Sequence, residues 1–381
     1  MHQGICGLSL HQFRNYPTLD LQIGQSPVVF IGPNGAGKTN ILEAISLFAP
    51  GRGLRSERVS EMSCHLHHQD HGLLWAIHLL LNDETSLSTG LEKTSQGLEK
   101  RLYRVHGQTV KGQACFAEWL HILWLTPEVD RIFLDTPSVR RKFIDRLVYA
   151  DDPLHAERVN RYEHVLRERM MVLRNQNDPQ WLSALEEQLA SLGVAIAVAR
   201  HHLMQRLGEG KRYLHPLFPK FESSMVGDID SWVGQLPATE AETQLKEALR
   251  QHRFNDQESG TTKFGPHRSD WHVMHTMKNI AADQASTGEQ KILLVATILS
   301  FIHAKVRHDP RLTILLLDDV IAHLDFRHRV VLFEEICALQ SQPDLRGHVQ
   351  TWLTGTDAML FESLVGQAQF FVVDQATATP G

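Results

Sequence analysis

Residues 32–39 read Gly-Pro-Asn-Gly-Ala-Gly-Lys-Thr. They follow a short apolar run, Pro27 to Ile31, of the kind a buried parallel strand shows. After them Ile41, Leu42, Ile45, Leu47 and Phe48 recur at helical spacing until Pro50-Gly51 closes the pattern. A glycine-rich turn between strand and helix points backbone amides inward, and the helix adds its positive N-terminal end, so the segment can cradle a chain of phosphates. Gly32, Asn34, Gly35 and Gly37 shape that cradle, with Lys38 reaching the outer phosphates, Thr39 offering a hydroxyl to magnesium, and Asn40 following. The start of the chain is therefore expected to be an α/β nucleotide fold.

A second group of residues completes such a site. Leu312 to Leu317 is wholly apolar but for Thr313 and ends in Asp318-Asp319, so a buried strand would deliver two carboxylates to the carboxyl edge of the sheet, where open α/β folds bind ligands. Asp318 suits the magnesium shell and Asp319 the position that polarises attacking water. Alone the segment reads equally as a strand and an Asp-rich turn. Ser286-Thr287-Gly288-Glu289-Gln290 opens a helix whose serine and free amides suit a phosphate, although in isolation it is simply a capped helix start.

The rest of the chain frames these motifs. Leu8, Leu10, Phe13, Leu19 and Leu21 alternate as strands do, and residues 73–110 read as further strands joined by polar turns, an antiparallel supplement. Leu182, Leu185, Leu189, Leu192 and Ile196 step by 3, 4, 3 and 4 after a break at Asn175 to Pro179, predicting a short helical hairpin. A helix is expected near 326–339 and strands near 349–354 and 369–373. With 381 residues, more than one core usually serves, the chain is expected to form a lobe of residues 1–120 and 271–381 with a helical lobe of 121–270 inserted.

Composition excludes several classes. At 42% hydrophobic and 22% charged residues, no stretch approaches the roughly 20 unbroken apolar residues of a membrane helix, and the N-terminus carries no export pattern, so the cytosol is the expected compartment. Cys6, Cys64, Cys115 and Cys337 are scattered and predict free thiols with no disulfide and no cysteine zinc site. Cys64 with His65, His67, His68 and His71 matches no zinc spacing and reads as surface histidines beside a buried thiol. A formal charge of −6 means that any nucleic-acid surface is a local patch.

The order and spacing of the motifs resemble a known family. The Ser286 to Gln290 segment, placed before the Asp-Asp strand, resembles the signature of ABC-type ATPases, and Asp325 in Ala322-His323-Leu324-Asp325 resembles their D-loop. Lys38 and Ser286 are 248 positions apart, more than a compact transporter cassette uses and too few for long coiled-coil arms. Phe13 to Tyr16, Gly32 to Asn40, Arg140 to Asp145, Tyr162 with Leu173 to Asn175, Phe264 to Arg268, Ser286 to Gln290 and Leu315 to Asp325 occur in the order seen in the RecF family of bacterial recombination mediators.

That resemblance implies an ABC-type ATPase head, a P-loop sheet with an antiparallel β supplement, plus a helical lobe. It implies ATP and Mg2+ as ligands, an ATP-bound homodimer on double-stranded, gapped or junction DNA, weak DNA-stimulated hydrolysis, the partners RecR and RecO, and no membrane. Arg14 and Asn15 would lie with the ATP loop, and Ser286, Gly288 and Asp325 would complete the partner's site in trans. Arg140, Arg141, Lys142 and Arg146 are the first DNA candidates, followed by Arg158, Arg161, Arg167, Arg169 and Arg174, against the alternative of a solvated charged face. His267 and Arg268 would serve near the nucleotide or in packing.

The chain departs from the pattern in places. Asp319 stands where most ABC-type ATPases carry Glu, which implies slow turnover; Ser269 and Ala285 are unusual neighbours of their motifs; Thr354 and Thr356 occupy the vicinity of an absent switch histidine. Two other readings stay open: an ATP-gated recruiting scaffold with negligible turnover, and a transporter-type ATPase subunit, which the 248-residue spacing opposes.

Overall fold

The computed structural model describes residues 4–64, 73–94, 97–175, 178–309, 311–342, 345 and 347–381. His65, His67, His68 and His71 lie outside the described residues, while Cys64 is buried and all four cysteines are free thiols. The chain divides into two compact units, one of Met1–Asp130, Tyr213–Phe218 and Ile302–Gly381, the other of Arg131–Arg212 and Pro219–Phe301.

In the first unit the chain forms β1 (Ile5–Phe13), β2 (Tyr16–Gln22), β3 (Val28–Ile31), α1 (Lys38–Ser46), β4 (Leu73–Leu81), β5 (Ser86–Lys93), β6 (Glu99–Val105), β7 (Gln108–Thr109) and β8 (Leu120–Leu125). Among the described residues, an antiparallel sheet runs in the order β2-β1-β4-β5-β6-β7. Leu8 pairs with Leu21 and Leu10 with Leu19, and the alternation read from the sequence puts these residues and Phe13 in the core. Helix α1 is buried beyond its first turn, where Ile41, Leu42, Ala44 and Ile45 are fully enclosed and Phe48 past its end packs on Phe116.

The second unit begins with α2 (Pro137–Tyr149), α3 (His155–Asn175) and α4 (Pro179–Gly210). It continues through β9 (Phe221–Val226), α5 (Asp228–Gln235), α6 (Ala238–Gln251), α7 (Arg253–Ser259), β10 (Asp270–His275), β11 (Ile280–Ala281) and the first part of α8 (Thr287–His308). The expected hairpin is α3 and α4. Asp178 caps α4 by accepting from the amides of Gln180 and Trp181, and Pro179 fits the first turn because its missing N–H would be unpaired there in any case. Leu182, Leu185, Leu189 and Ile196 are buried against Tyr162, Val165 and Leu173 of α3 and Leu245 and Leu249 of α6. The stretch Pro179–Tyr213 is long and apolar enough to cross a membrane by length and composition, and half of its most apolar window is buried inside the protein.

Charge is buried in this unit in two places, each fully matched. Arg169, with 0% exposure, donates to Glu186, Asp256, Thr262 Oγ1 and the Leu249 carbonyl. Asp145 takes both Arg200 donors at 2.8 Å and a hydrogen bond from His155. A buried carboxylate survives only with such partners, and the Arg200 guanidinium and His155 hold the Asp145 carboxyl down to about 2 against the effect of burial.

The chain then forms β12 (Leu312–Leu317), α9 (Phe326–Ser341), β13 (Val349–Gly355), β14 (Gln369–Asp374) and β15 (Thr377–Pro380) in the first unit. Its second sheet has the order β15-β14-β3-β13-β12-β8, with all neighbours parallel except β15 on β14. Parallel strands deliver their carboxyl ends to one edge, which here carries the loop after β3, the aspartates after β12 and the threonines ending β13.

Two expectations about the lobes differ from the structure. Residues 120–125, Leu-His-Ile-Leu-Trp-Leu, form β8 beside β12, so the first unit extends to Asp130. A six-residue strand buried on both faces, apolar but for His121, carries no periodicity that separates it from a helix. The inserted lobe is also not wholly helical, since β9, β10 and β11 make a three-stranded antiparallel sheet, and the boundary falls within α8 between Phe301 and Ile302.

Buried neutral histidines give this fold a pH dependence. His267 Nδ1 bonds the Tyr162 hydroxyl and Nε2 the Thr262 carbonyl, contacts that the neutral ring makes by accepting from the hydroxyl and donating to the carbonyl. Burial pushes His267 down to about 4. Above the unfolded value near 6.5 both states are neutral; below it the unfolded chain takes a proton that the folded chain refuses, so stability falls with pH until about 4. Between pH 7.5 and 5 the His267 contribution is expected to be about 2 kcal/mol. Urea unfolding at the two pH values checks it, with His267→Gln flattening the slope by that amount.

Candidate functional site

The loop after β3 is shaped by what surrounds it. A side chain at Gly32 would put a Cβ 2.0 Å from the Val373 carbonyl, and Gly37 has φ 114 with Asn15 and Tyr16 closing the space a Cβ would need. Asn15 donates to the Ala36 carbonyl at 3.0 Å and accepts from Asn40 Nδ2 at 2.7 Å, which ties the loop to the first turn of α1. Arg14 makes a bidentate pair with the fully buried Glu43 at 2.8 and 2.6 Å and a further pair with Glu57. Arg14 and Asn15, expected with the ATP loop, thus brace it from behind while the loop's own residues line the cavity.

That cavity, of about 170 Å³, is bounded on one side by Asn34, Gly35, Gly37, Lys38, Thr39 and Asn40. Asp318, Asp319, Thr354 and Thr356 bound the other side, and Arg55 joins them. Lys38 Nζ donates to the Gly32 carbonyl at 2.7 Å and the Pro33 carbonyl at 2.9 Å. Burial lowers its pKa, opposed by the nearby charges of Asp319 and Asp318. Asp318 Oδ1 accepts from Thr39 Oγ1 at 2.9 Å and Thr354 Oγ1 at 2.8 Å. Burial raises the Asp318 carboxyl above its ordinary range, and those two hydrogen bonds pull it back.

Asp319 stands in the left-handed region at φ 51, its amide donating to Thr354 Oγ1 at 2.9 Å, and its Oδ1 is buried with no hydrogen-bond partner. A buried carboxylate oxygen left open beside a lysine and a glycine loop can accept a hydrogen bond from a water placed there. Thr39 Oγ1 and Asp318 supply the hard oxygen donors that suit a divalent cation.

Arg55 was not signalled by the sequence. It reaches the cavity because Nη1 donates to Asn40 Oδ1 at 2.7 Å and Glu43 Oε2 at 3.1 Å, both on α1. The one available clue was Glu43, an acid within the apolar stretch Ile41 to Ile45 of α1.

Ser286 is exposed at the start of α8 and forms a reciprocal cap with Glu289. Its amide and hydroxyl donate to Glu289 Oε2 at 3.0 and 2.8 Å. Lys278 and then Ser286 hold the Glu289 carboxyl down to about 2. Gly288 has open space where a Cβ would stand. Asp325 caps α9, accepting from the His328 amide at 2.9 Å and pairing with His328 Nδ1 at 2.7 Å, so its carboxylate has a local duty beyond the trans contact expected of it.

The basic residues expected at DNA are mostly committed inside the second unit. Arg140 makes a bidentate pair with Asp270 at 2.7 and 2.6 Å, Arg141 donates to the Ser269 carbonyl, and Arg146 lies over Phe143 with burial lowering it to about 10. Arg169 is wholly buried, Arg158 pairs with Asp152, and Arg174 donates to the Gly260 carbonyl. Helical sequence position alone could not separate inward from outward arginines, because an inner one such as Arg169 finds its buried carboxylates on other segments. Lys142, Arg161 and Arg167 remain exposed, as does Arg174 beside its bond to Gly260. His267 and Arg268 both reach the Thr262 carbonyl, a contact within the second unit.

The RecF/RecN/SMC N terminal domain model matches residues 5–346. The DNA replication and repair protein RecF of Mesorhizobium japonicum is 40% identical over 382 residues, 99% of this chain and 97% of that protein. That of Agrobacterium fabrum is 38% identical over 376 residues, covering 98% and 97%. Among solved structures, the recombination mediator protein RecF-ATPrS in the RecFOR pathway aligns with a TM-score of 0.82 at 21% identity, covering 100% of this chain and 98% of that one. An SmcHead bound to the C-winged helix domain of ScpA aligns with a TM-score of 0.51 at 12% identity, covering 99% and 96%.

Proposed function

The chain belongs to the RecF/RecN/SMC N-terminal domain family, on its RecF branch, and from that premise we propose an ATP-dependent DNA-binding protein of recombinational gap repair and replication-fork recovery. The observation that carries this reading is the cavity in which Lys38 and Thr39 face Asp318 and an Asp319 oxygen without a partner. Lys38 would leave its loop carbonyls for the outer phosphates, the amides of residues 34–39 would surround them, and Asp319 would orient the attacking water. Mg2+ held by Thr39 Oγ1, with Asp318 in its outer shell, would neutralise charge on the transferred phosphoryl group.

In this reading ATP closes a homodimer in which the exposed Ser286 cap and Gly288 of each copy, with Asp325, complete the other's site. Slow, DNA-stimulated hydrolysis, slowed by the shorter side chain at position 319, reopens it. DNA phosphates would be met by Lys142, Arg161 and Arg167, doubled by dimerisation, so affinity would fall with salt and carry no sequence preference. By its resemblance to the RecF family, the protein would act in the cytoplasm with RecO and RecR to load recombinase.

Mass measurement in solution with ATP, ADP or no nucleotide, each with and without gapped DNA, tests this function. A dimer that appears only with ATP and persists on DNA is expected. Monomers under saturating ATP, magnesium and DNA would refute it. Single-turnover hydrolysis separates the switch from a scaffold with negligible turnover.

A further inference from the structure

Thr354 is the penultimate residue of β13, the wholly buried strand between β3 and β12. It pairs with Phe30, two residues before the glycine loop, and the preceding Leu353 pairs with Leu317, next to Asp318. Only 1% of Thr354 is exposed, yet its hydroxyl borders the cavity. The geometry points to Thr354 as a positioning residue for hydrolysis, whose single hydroxyl sets the placement of both Asp318 and Asp319.

The direction of its hydrogen bonds follows from what each neighbour can do. The Asp319 amide, 2.9 Å away, can only donate, and the Asp318 carboxylate, 2.8 Å away, accepts. The hydroxyl has one proton, so that proton goes to Asp318 Oδ1 and an oxygen lone pair takes the Asp319 N–H. Asp318 Oδ1 is then held between Thr354 and Thr39, which fixes its rotation beside the hydroxyl expected to ligate the metal. Asp319 is anchored through its backbone at φ 51, a conformation that non-glycine residues seldom adopt unless something holds them there. Its side chain contributes a buried oxygen that no protein group satisfies. One hydroxyl therefore ties the spacing of the two carboxylates to the strand joining the loop to them.

This assignment rests on the ATPase reading above. Valine keeps the β-branched shape and removes the hydroxyl; serine keeps the hydroxyl and removes the methyl. Thr354→Val is expected to lower kcat about 10- to 100-fold, the loss of hydrogen bonds to a charged group and an amide, with the KM for ATP changed less than about threefold. Mn2+ affinity of the complex with a non-hydrolysable ATP analogue, read by the electron paramagnetic resonance of free Mn2+, should weaken about three- to tenfold. Thr354→Ser should restore both. Thr354→Ala carries the same comparison if the valine chain does not fold. Wild-type turnover and Mn2+ affinity in Thr354→Val, or a serine variant as impaired as valine, would overturn the assignment and leave a packing role. If the unsubstituted protein hydrolyses no ATP, the ATPase reading itself falls and takes this assignment with it.

Discussion

Arg169→Ala is expected to lower the stability of the α3–α4 unit by about 3 to 5 kcal/mol, the usual cost of stranding a buried charge after its partner is removed. The guanidinium is wholly enclosed and meets two carboxylates from different segments, Glu186 at 3.1 Å and Asp256 at 2.8 Å. Glu186 would keep Arg253, whose Nη2 lies 2.6 Å from it, but Asp256 would keep only the Lys263 amide at 3.1 Å and no charged partner. Urea unfolding followed by the fluorescence of Trp181, Trp232 and Trp271 measures the loss. Arg167→Ala, two residues and about half a turn of helix away on an exposed face, should cost under about 0.5 kcal/mol. A loss below about 1 kcal/mol for Arg169→Ala, with DNA affinity weakened instead, would return Arg169 to the nucleic-acid surface.

Lys38→Ala and Asp319→Asn should both abolish most turnover but differ in what they leave. Lys38 is the only described cation drawn from the glycine loop itself, so its loss should weaken ATP binding about 10- to 100-fold and reduce hydrolysis to background. Asp319→Asn keeps the shape and removes the charge that would hold a water. It should lower kcat about a hundredfold or more while ATP affinity stays within about threefold, and so prolong the ATP-bound state. Calorimetric ATP titration beside steady-state phosphate release distinguishes the two. Unchanged turnover in Asp319→Asn would show that another group orients the water.

The two variants probe residues that the sequence named, and the contrast with Arg169 shows where sequence reading stops. A glycine loop, an apolar strand ending in two aspartates and a capped helix each carry a local signature, because their chemistry depends on neighbours within eight residues. Arg14, Asn15 and Glu43 act on the same loop from another hairpin and from within α1, and only part of that was legible. Arg55 lies in a segment with no motif, and its place in the cavity depends on Asn40 and Glu43 lying one turn apart on α1.

The arginines of α2 and α3 carried the weakest inference. Helical spacing orders side chains around an axis but does not say which face meets carboxylates from 100 residues away. Arg140 found Asp270 and Arg169 found Asp256, and each match turned a candidate surface charge into an internal one. The β8 strand and the β9–β10–β11 sheet were hidden for a related reason, since a strand is defined by a partner that may lie far along the chain.

Sequence alone determined that this chain has a phosphate cradle, an aspartate pair to face it and a capped helix start at Ser286, because each is written in contiguous residues whose backbone conformation and side-chain chemistry are local. Tertiary structure decided which charges are spent inside, that Thr354 bridges the aspartates, and that Arg55 enters the cavity. Those outcomes depend on distances between segments far apart in the chain, fixed only when buried polar groups must find partners away from water.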